Sequence, residues 1–271
     1  FTLASYAKLN LNLHIYKPLA NGYHPIQSVF QTISLSDTLH ITPLESKGVD
    51  LICSNPFLTI DSSNSILKVY HWAAPQLPVG FDIRLEKRIP MGAGLGGGSA
   101  NAATFLRFLN DHYLNLVESD LLEASVQFGA DVPFFIKGGR ALVSGIGEQL
   151  ESLSNMSPLH YVLLYPNCHA NTAHVYHEFG RLAMFRSSFS TEEEIINSVN
   201  NDLLAPAVSL YPQLTAILEW SSSQSRTAPL TGSGATFFWI FDHKEAADDW
   251  VSILNEQYPD FLIFQATNID S

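Results

Sequence analysis

The segment PMGAGLGGGSANAA, residues 90–103, places five glycines within the seven positions from Gly92 to Gly98. Glycine in an ordered element costs roughly 0.5–1 kcal/mol relative to alanine, so such a cluster indicates positive φ or a close approach to the backbone. The alternating stretch FDIRLEK, residues 81–87, predicts a strand before it, and helical spacing predicts a helix from Ser99 to Leu114. Backbone N–H groups at the start of a helix favour phosphate oxygens. We therefore predict a phosphate-binding turn; a tightly packed turn without a ligand is the alternative.

Two nucleotide-binding motifs resemble this segment, and neither fits it. Gly92-x-Gly94-x-x-Gly97 matches the dinucleotide pattern GxGxxG, but a second helix follows where that unit needs a parallel strand with an acidic residue. The P-loop pattern GxxxxGK[ST] requires a lysine where this chain has Gly98. The feature that this segment shares with both motifs is a set of free backbone N–H groups at the start of a helix.

Composition limits the classes of function. The 271 residues are 46% hydrophobic and 15% charged, enough for a sizeable core in one large α/β domain or two smaller ones. A net charge of −12 opposes binding to nucleic acid or anionic lipid, while small anionic ligands remain possible. Cys53 and Cys168 lie outside any CxxC pattern, and the chain has neither a secretory signal pattern nor an apolar run of about 18 residues. We predict a cytoplasmic protein without nucleic-acid or membrane partners.

Periodicity gives a coarse map of the chain. Alternation from Tyr6 to Tyr16 predicts a strand, and Asn21-Gly22 predicts a turn. Further strands are expected at residues 28–35, 37–44, 138–150 and 160–166. Further helices are expected at residues 64–77, 119–128, 191–204, 212–221 and 244–257. The polar segment from Ser152 to Pro158 predicts a domain boundary.

Three positions could carry chemistry, each with a structural alternative. Lys8 shares the polar side of the first strand with Asn10 and Asn12, which could equally be a solvated outer face. Asp131 follows Gly129 in FGADVPFF, where an Asx-turn or helix N-cap is the alternative. The glycines of TGSG, residues 231–234, suit a functional loop or a plain hairpin connection. The spacing of Cys168, His169, His174 and His177 is too loose to favour a zinc module.

Four blocks, taken in order, resemble the GHMP kinase superfamily. They are AKLNLNLHI with NGYHPIQSVFQTI, KRIPMGAGLGGGSANAA, FGADVPFF and LTGSGATFF. The resemblance covers nearly the whole chain, is weak over residues 175–228, and departs at Ala100, where the family commonly has a second serine. It implies an α+β, two-lobed fold with the active site in the cleft. Residues 1–154 would form an ATP-binding lobe like domain 2 of ribosomal protein S5, and residues 155–271 a ferredoxin-like lobe.

The sequence AKLNL followed by GYH resembles the branch of the superfamily that acts on cytidine diphosphate methylerythritol. This resemblance implies transfer of the γ-phosphoryl group of ATP to the 2-hydroxyl group of that small molecule, with Mg²⁺, in non-mevalonate isoprenoid biosynthesis. A monomer or weak homodimer is expected. Another superfamily enzyme, such as a sugar or homoserine kinase, and a nucleotide-binding module without catalysis are the alternatives.

The resemblance also implies roles for individual residues. Asp131 would accept the proton of the attacking hydroxyl group, with Lys8 nearby to keep the carboxylate ionised, and Ser99 would face Mg²⁺. The backbone expected to hold the triphosphate comprises Pro90, Met91, Gly92, Ala93, Gly94, Leu95, Gly96, Gly97, Gly98, Ser99 and Ala100. Asn64 and Lys87 would flank the adenine. Residues expected to contact the substrate are Asn10, Tyr23, His24 and Tyr176, of which Tyr23 and His24 would read cytosine.

Overall fold

The computed structural model describes residues 1–20, 22–154 and 157–270, and its α+β composition confirms the predicted class. The strands are β1 (Thr2–Asn10), β2 (His14–Ile15), β3 (Ile26–Leu44), β4 (Val49–Cys53), β5 (Gly80–Glu86), β6 (Arg140–Ser144), β7 (Gln149–Ser152), β8 (His160–Tyr165), β9 (Phe237–Phe241) and β10 (Leu262–Thr267). The helices are α1 (Ser65–Ala73), α2 (Gly97–Leu109), α3 (Glu118–Val126), α4 (Val132–Lys137), α5 (Thr172–Leu182), α6 (Glu192–Ile196), α7 (Leu204–Leu210), α8 (Gln213–Ser223) and α9 (Lys244–Gln257). Among the described helices, none has the length and apolar character needed to cross a membrane.

The chain divides into two compact units that alternate along the sequence. The first unit contains Phe1–Ala7, Ser36–Ile89 and Gly96–Lys137, and the second contains Lys8–Leu35, Pro90–Leu95 and Gly138–Ser271. Asn21 of the predicted turn and residues 155–156 of the predicted boundary lie outside the described residues. The division into domains 1–154 and 155–271 stays a prediction.

The first unit packs helices around strands that differ in direction. β5 pairs in parallel with β4 and antiparallel with the second half of β3, from Thr38 to Leu44. The rings of Phe81, Phe105 and Phe108 meet in the core with centroids 5.8–6.2 Å apart. α2 contacts α1 and α4, and its buried alanines allow close helix packing. This packing fixes the first turn of α2.

The second unit contains two sets of strands. The first half of β3 pairs with β6, which pairs with β7, all antiparallel. A separate antiparallel sheet has the order β10-β8-β9, and α9 packs against it. Tyr161, Phe237 and Phe238 are fully buried there. Burial accounts for the nearly continuous apolar sequence of β8.

Several boundaries differ from the periodicity. The two strands predicted at 28–35 and 37–44 are one continuous strand, β3, because β6 and β5 supply ladder partners to its two halves. The strand predicted over Tyr6–Tyr16 stops at Asn10 and resumes as β2. The single helix predicted at 191–204 is wrong: Asn201 bridges to Leu13 and separates α6 from α7. The predicted closing helix at 244–257 is confirmed as α9.

Candidate active site

The first turn of α2 leaves backbone amides available to a ligand. Its N-cap residue, Gly96, has φ +71° and no side chain to cap the helix. The intrahelical bond from the Ala100 amide to the Gly96 carbonyl is 2.9 Å long, so the amides of Gly97, Gly98 and Ser99 precede the helical ladder. These amides and the positive end of the helix dipole together favour an anion.

Gly98 has no internal reason to lack a side chain. It is exposed, it has ordinary helical φ, and a Cβ atom there would lie no nearer than 4.0 Å to the Ser65 hydroxyl oxygen. Glycine within a helix costs about 1 kcal/mol relative to alanine. Packing against the described residues therefore does not account for a glycine at this position.

Packing does explain three of the other glycines. In the first unit, a Cβ on Gly97 would lie 2.9 Å from the Ile89 side chain. In the second unit, a Cβ on Gly92 would lie 2.2 Å from the His169 ring, and one on Gly94 would lie 2.2 Å from the Thr231 carbonyl oxygen. Gly92 and Gly94 also have φ of +64° and +75°. Packing therefore accounts for Gly92, Gly94 and Gly97 and leaves Gly98 without a structural reason.

The polar side of the first strand is buried in the second unit, so the alternative interpretation of a solvated outer face is wrong. Lys8, Asn10, Asn12 and His14 are between 1% and 4% exposed. The Lys8 ammonium bonds to the Asn10 side-chain oxygen and lies 4.4 Å from the centroid of the Phe30 ring. The Asn10 amide nitrogen donates to Ser28, and its backbone N–H donates to the Thr231 hydroxyl at 2.9 Å. Asn10 thus links the Lys8 ammonium to the TGSG loop.

Asn12 and His14 lie on the same polar side of the predicted first strand as Asn10, and they form hydrogen bonds with the segment around α6. The Asn12 side chain donates to the carbonyl oxygens of Ile195 and Ser198 at 2.6 and 3.1 Å. His14 bonds to the hydroxyl groups of Ser190 and Ser198, and burial lowers the pKa of its ring. Their contacts are structural, within the second unit.

Asp131 lies directly before α4 in the first unit, at the N-cap position of that helix. It is half-buried, and its carbonyl oxygen accepts from the Phe135 amide at 3.4 Å. A Cβ on the preceding Gly129, which has φ +153°, would lie 3.4 Å from the Ser99 hydroxyl oxygen. The corner that carries Asp131 therefore lies beside the first turn of α2. An N-cap position is compatible with a catalytic carboxylate.

His24 lies in an aromatic cluster of the second unit. Its ring lies 6.0 Å from that of Tyr176 and 6.1 Å from that of Phe179, and it stacks on Phe185 at 5.3 Å. The His24 Nδ1 atom lies 3.1 Å from the Tyr16 carbonyl oxygen. Tyr23 is 61% exposed beside it. Phe185 also lines an open cavity of about 630 Å³, and sequence reasoning missed it; its only signal was an aromatic residue in a polar stretch.

Asn64 and Lys87, predicted near adenine, already have polar partners in the first unit. Asn64 caps α1, since its side-chain oxygen accepts from the Ile66 amide and its amide nitrogen donates to Thr59. The next residue, Ser65, donates to the Gly98 carbonyl oxygen at 2.8 Å. The Lys87 ammonium forms an ion pair with Asp37, which sequence reasoning also missed. Ser65, the residue after Asn64, thus borders the first turn of α2, and so does the Lys87 ammonium, which would lie 3.1 Å from a Cβ on Gly97.

In the part of the chain that the structure describes, no three His, Cys, Asp or Glu side chains come together as a metal site. The ring of His169 lies against Gly92. Cys168 is buried, which raises the pKa of its thiol, and it accepts a hydrogen bond from Gln213.

Comparison with known proteins adds a family to this geometry. Residues 64–139 match the GHMP kinases N terminal domain, and residues 181–260 match the GHMP kinases C terminal domain. Proteins named 4-diphosphocytidyl-2-C-methyl-D-erythritol kinase are 35% identical in Chlorobium limicola, over 94% of this chain and 93% of that protein, and 37% identical in Paraburkholderia phymatum, over 89% and 85%.

The crystal structure of 4-(cytidine 5'-diphospho)-2C-methyl-D-erythritol kinase is 30% identical, covers 100% of both chains and superposes with a TM-score of 0.83. Matches of this length and identity, with both domain models in order, assign the chain to a family. The chain belongs to the GHMP kinases and, within them, to the 4-diphosphocytidyl-2-C-methyl-D-erythritol kinases.

Proposed function

We propose that this chain transfers the γ-phosphoryl group of ATP to the 2-hydroxyl group of 4-diphosphocytidyl-2-C-methyl-D-erythritol, forming the 2-phosphate and ADP for isoprenoid precursor biosynthesis. The names of its relatives support the substrate. The single observation that carries the proposal is the open first turn of α2, where Gly98 leaves space over uncapped amides. We further propose a cytoplasmic enzyme, monomeric or weakly dimeric, with domains 1–154 and 155–271.

The triphosphate is assigned to the backbone of residues 90–100. Phosphoryl transfer spreads negative charge over the equatorial oxygens, so catalysis depends on positioning and on fixed positive potential. The amides of Gly97, Gly98 and Ser99 and the dipole of α2 provide that potential without a lysine of the P-loop type. Asn64 and Lys87 are assigned to the adenine end of the site. Because their polar groups already bond to Thr59 and Asp37, their proposed role is to position the backbone beside this turn.

Asp131 is assigned as the base that takes the proton of the attacking alcohol, and Lys8 as the cation that offsets the negative charge. A tertiary alcohol is a poor acid, so the base acts mainly as the transition state forms. Burial of the Lys8 ammonium, 4% exposed, strengthens its electrostatic effect. Asn10 holds this ammonium in position, and we propose that it also borders the substrate.

Cytosine is assigned to the cluster around His24. A carbonyl oxygen only accepts, so the His24 Nδ1 atom donates to the Tyr16 carbonyl oxygen and the Nε2 atom of the neutral ring is an acceptor. An acceptor suits the 4-amino group of cytosine and opposes the 4-oxo group of uracil. Tyr23 and Tyr176 provide aromatic faces for stacking, and Phe185 orients the His24 ring.

Mg²⁺ is proposed to bind with ATP. This ion takes most of its ligands from phosphate and water and few from protein, which fits a site with one hydroxyl group. The half-buried Ser99, in the first turn of α2 and facing Gly129, would hold it. When bound, Mg²⁺ neutralises charge on the β- and γ-phosphates.

The direct test is a coupled assay of ADP release with the purified chain and four candidate alcohols. We expect turnover with 4-diphosphocytidyl-2-C-methyl-D-erythritol and none above background with galactose, homoserine or mevalonate. Equal turnover with one of the other alcohols would favour a different kinase of the superfamily. ATP binding without turnover of any alcohol would favour a binding module.

A further inference from the structure

A carboxylate outside the expected site ties together the two segments that flank the glycine-rich turn. Asp37 of β3 is fully buried. One of its oxygens accepts from the backbone amides of Arg88 and Ile89 at 2.8 and 2.9 Å. The other accepts from the Lys87 ammonium and from the Asn101 side chain, the latter at 2.9 Å.

These donors lie on both sides of the turn. Arg88 and Ile89 directly precede Pro90, and Asn101 lies one helical turn after Gly97 in α2. Asn101 also donates to the Ser5 hydroxyl group at 2.9 Å and lies 3.3 Å from the Lys87 ammonium. A Cβ on Gly97 would lie 3.1 Å from that ammonium. The network therefore reaches the first turn of α2 itself.

Stability alone is a weak reason for such a network. Removing a carboxylate and an ammonium from water costs free energy that their attraction often only offsets, and an apolar pair of similar volume is frequently as stable. What an apolar pair cannot do is accept two backbone amides and one side-chain amide in fixed directions. The hydrogen bonds to Asp37 therefore fix the positions of the two backbone segments that precede and follow the turn.

We propose that Asp37 is a positioning residue for ATP: with Lys87 and Asn101 it fixes the geometry in which the amides of Gly97, Gly98 and Ser99 meet the triphosphate. The identity of the ligand rests on the proposed function. The assignment of Asp37 rests on the hydrogen bonds of the first unit.

The test measures ADP binding by calorimetry and the KM values of both substrates for wild type, Asp37→Asn and the double variant Asp37→Asn with Lys87→Met. We expect Asp37→Asn to weaken ADP binding and raise the KM for ATP by about tenfold or more, with the KM for the alcohol within about twofold. The double variant should recover part of that loss, because it removes the ammonium left without its carboxylate. Asp202→Asn is the matched control, since Asp202 accepts from Ile15 and Arg186 in the second unit; it should lose stability without a selective effect on ATP.

Unchanged ADP affinity in folded Asp37→Asn, or an equal rise in both KM values, would overturn the positioning role. If Asp37→Asn does not fold, Asn101→Ala, which removes the side-chain amide that donates to Asp37, carries the same comparison. A wild-type chain that binds no ADP would instead overturn the proposed function, so the two failures are distinguishable.

Discussion

The ring of His24 lies nearly parallel to the ring of Phe185, at an interplanar angle of 13° and a centroid distance of 5.3 Å, while its Nδ1 atom bonds to the Tyr16 carbonyl oxygen. These two contacts fix both the plane of the ring and the tautomer. When the ring is neutral, its Nε2 atom is then a hydrogen-bond acceptor.

His24→Ala should therefore raise the KM for the cytidine substrate by at least about tenfold and leave the KM for ATP unchanged, because one directional hydrogen bond is lost. The wild-type chain should also have a much lower kcat/KM for the uridine analogue than for the cytidine substrate. In His24→Ala the ratio of these two kcat/KM values should be smaller. Steady-state kinetics with both analogues measure this. His243→Ala, an exposed histidine before α9, is the control. An unchanged cytosine preference in His24→Ala would exclude this residue as the reader.

Gly98→Ala should separate stability from binding. Alanine should stabilise α2 by about 0.5–1 kcal/mol, because the site is helical and the nearest atom to a Cβ there is the Ser65 hydroxyl oxygen at 4.0 Å. The same Cβ would occupy the space assigned to phosphate and should raise the KM for ATP. Thermal unfolding and ADP-release kinetics on one preparation give both quantities. A more stable variant with unchanged KM would show that phosphate does not lie over this turn.

Gly92→Ala should destabilise the chain by about 1–2 kcal/mol from the left-handed φ alone, with a further loss from the clash with His169. Adding His169→Ala should recover only the loss from the clash. Urea denaturation of the two single variants and the double variant measures both parts. If the double variant is no more stable than Gly92→Ala alone, the contact with the ring is not the cause.

Glu178 should make stability depend on acid pH. Hydrogen bonds from Arg181 and Ser209 lower the pKa of Glu178 to about 2, against about 4.3 in an unfolded chain. Its contribution is therefore complete above the unfolded pKa and is lost as the pH falls toward the folded pKa. Urea midpoints between pH 5 and pH 2 should fall less steeply for Glu178→Gln than for wild type or for the exposed control Glu256→Gln. Superimposable slopes for all three chains would contradict this pKa.

Sequence periodicity and glycine spacing predicted the elements whose structure depends on neighbouring residues. The helix at 244–257 was correctly bounded because its apolar spacing is regular, and the turn before α2 was recognised from its glycines. The break between α6 and α7 was missed, because Asn201 is held there by the carbonyl oxygens of Leu230 and Gly232, about 30 residues away.

The candidate site shows the same limit. Asp37 was expected only as the first residue of the strand predicted over residues 37–44, and its role was missed because its partners Lys87 and Asn101 are distant in sequence. Periodicity identified Lys8 and Asn10 as one polar side of a strand but left burial undecided. Phe185 lies in the stretch where the family resemblance is weakest.

The central claim is that Lys8 and Asp131 act together on the alcohol, and a double-mutant cycle on ADP release tests it most directly. Lys8→Ala and Asp131→Asn should each lower turnover by at least about 10²-fold with nucleotide binding retained, and the double variant should lose little more than either single variant. Lys47→Ala and Asp111→Asn, both at exposed positions, should stay near wild type. Near-wild-type turnover of either single variant, or fully additive losses in the double variant, would contradict the account.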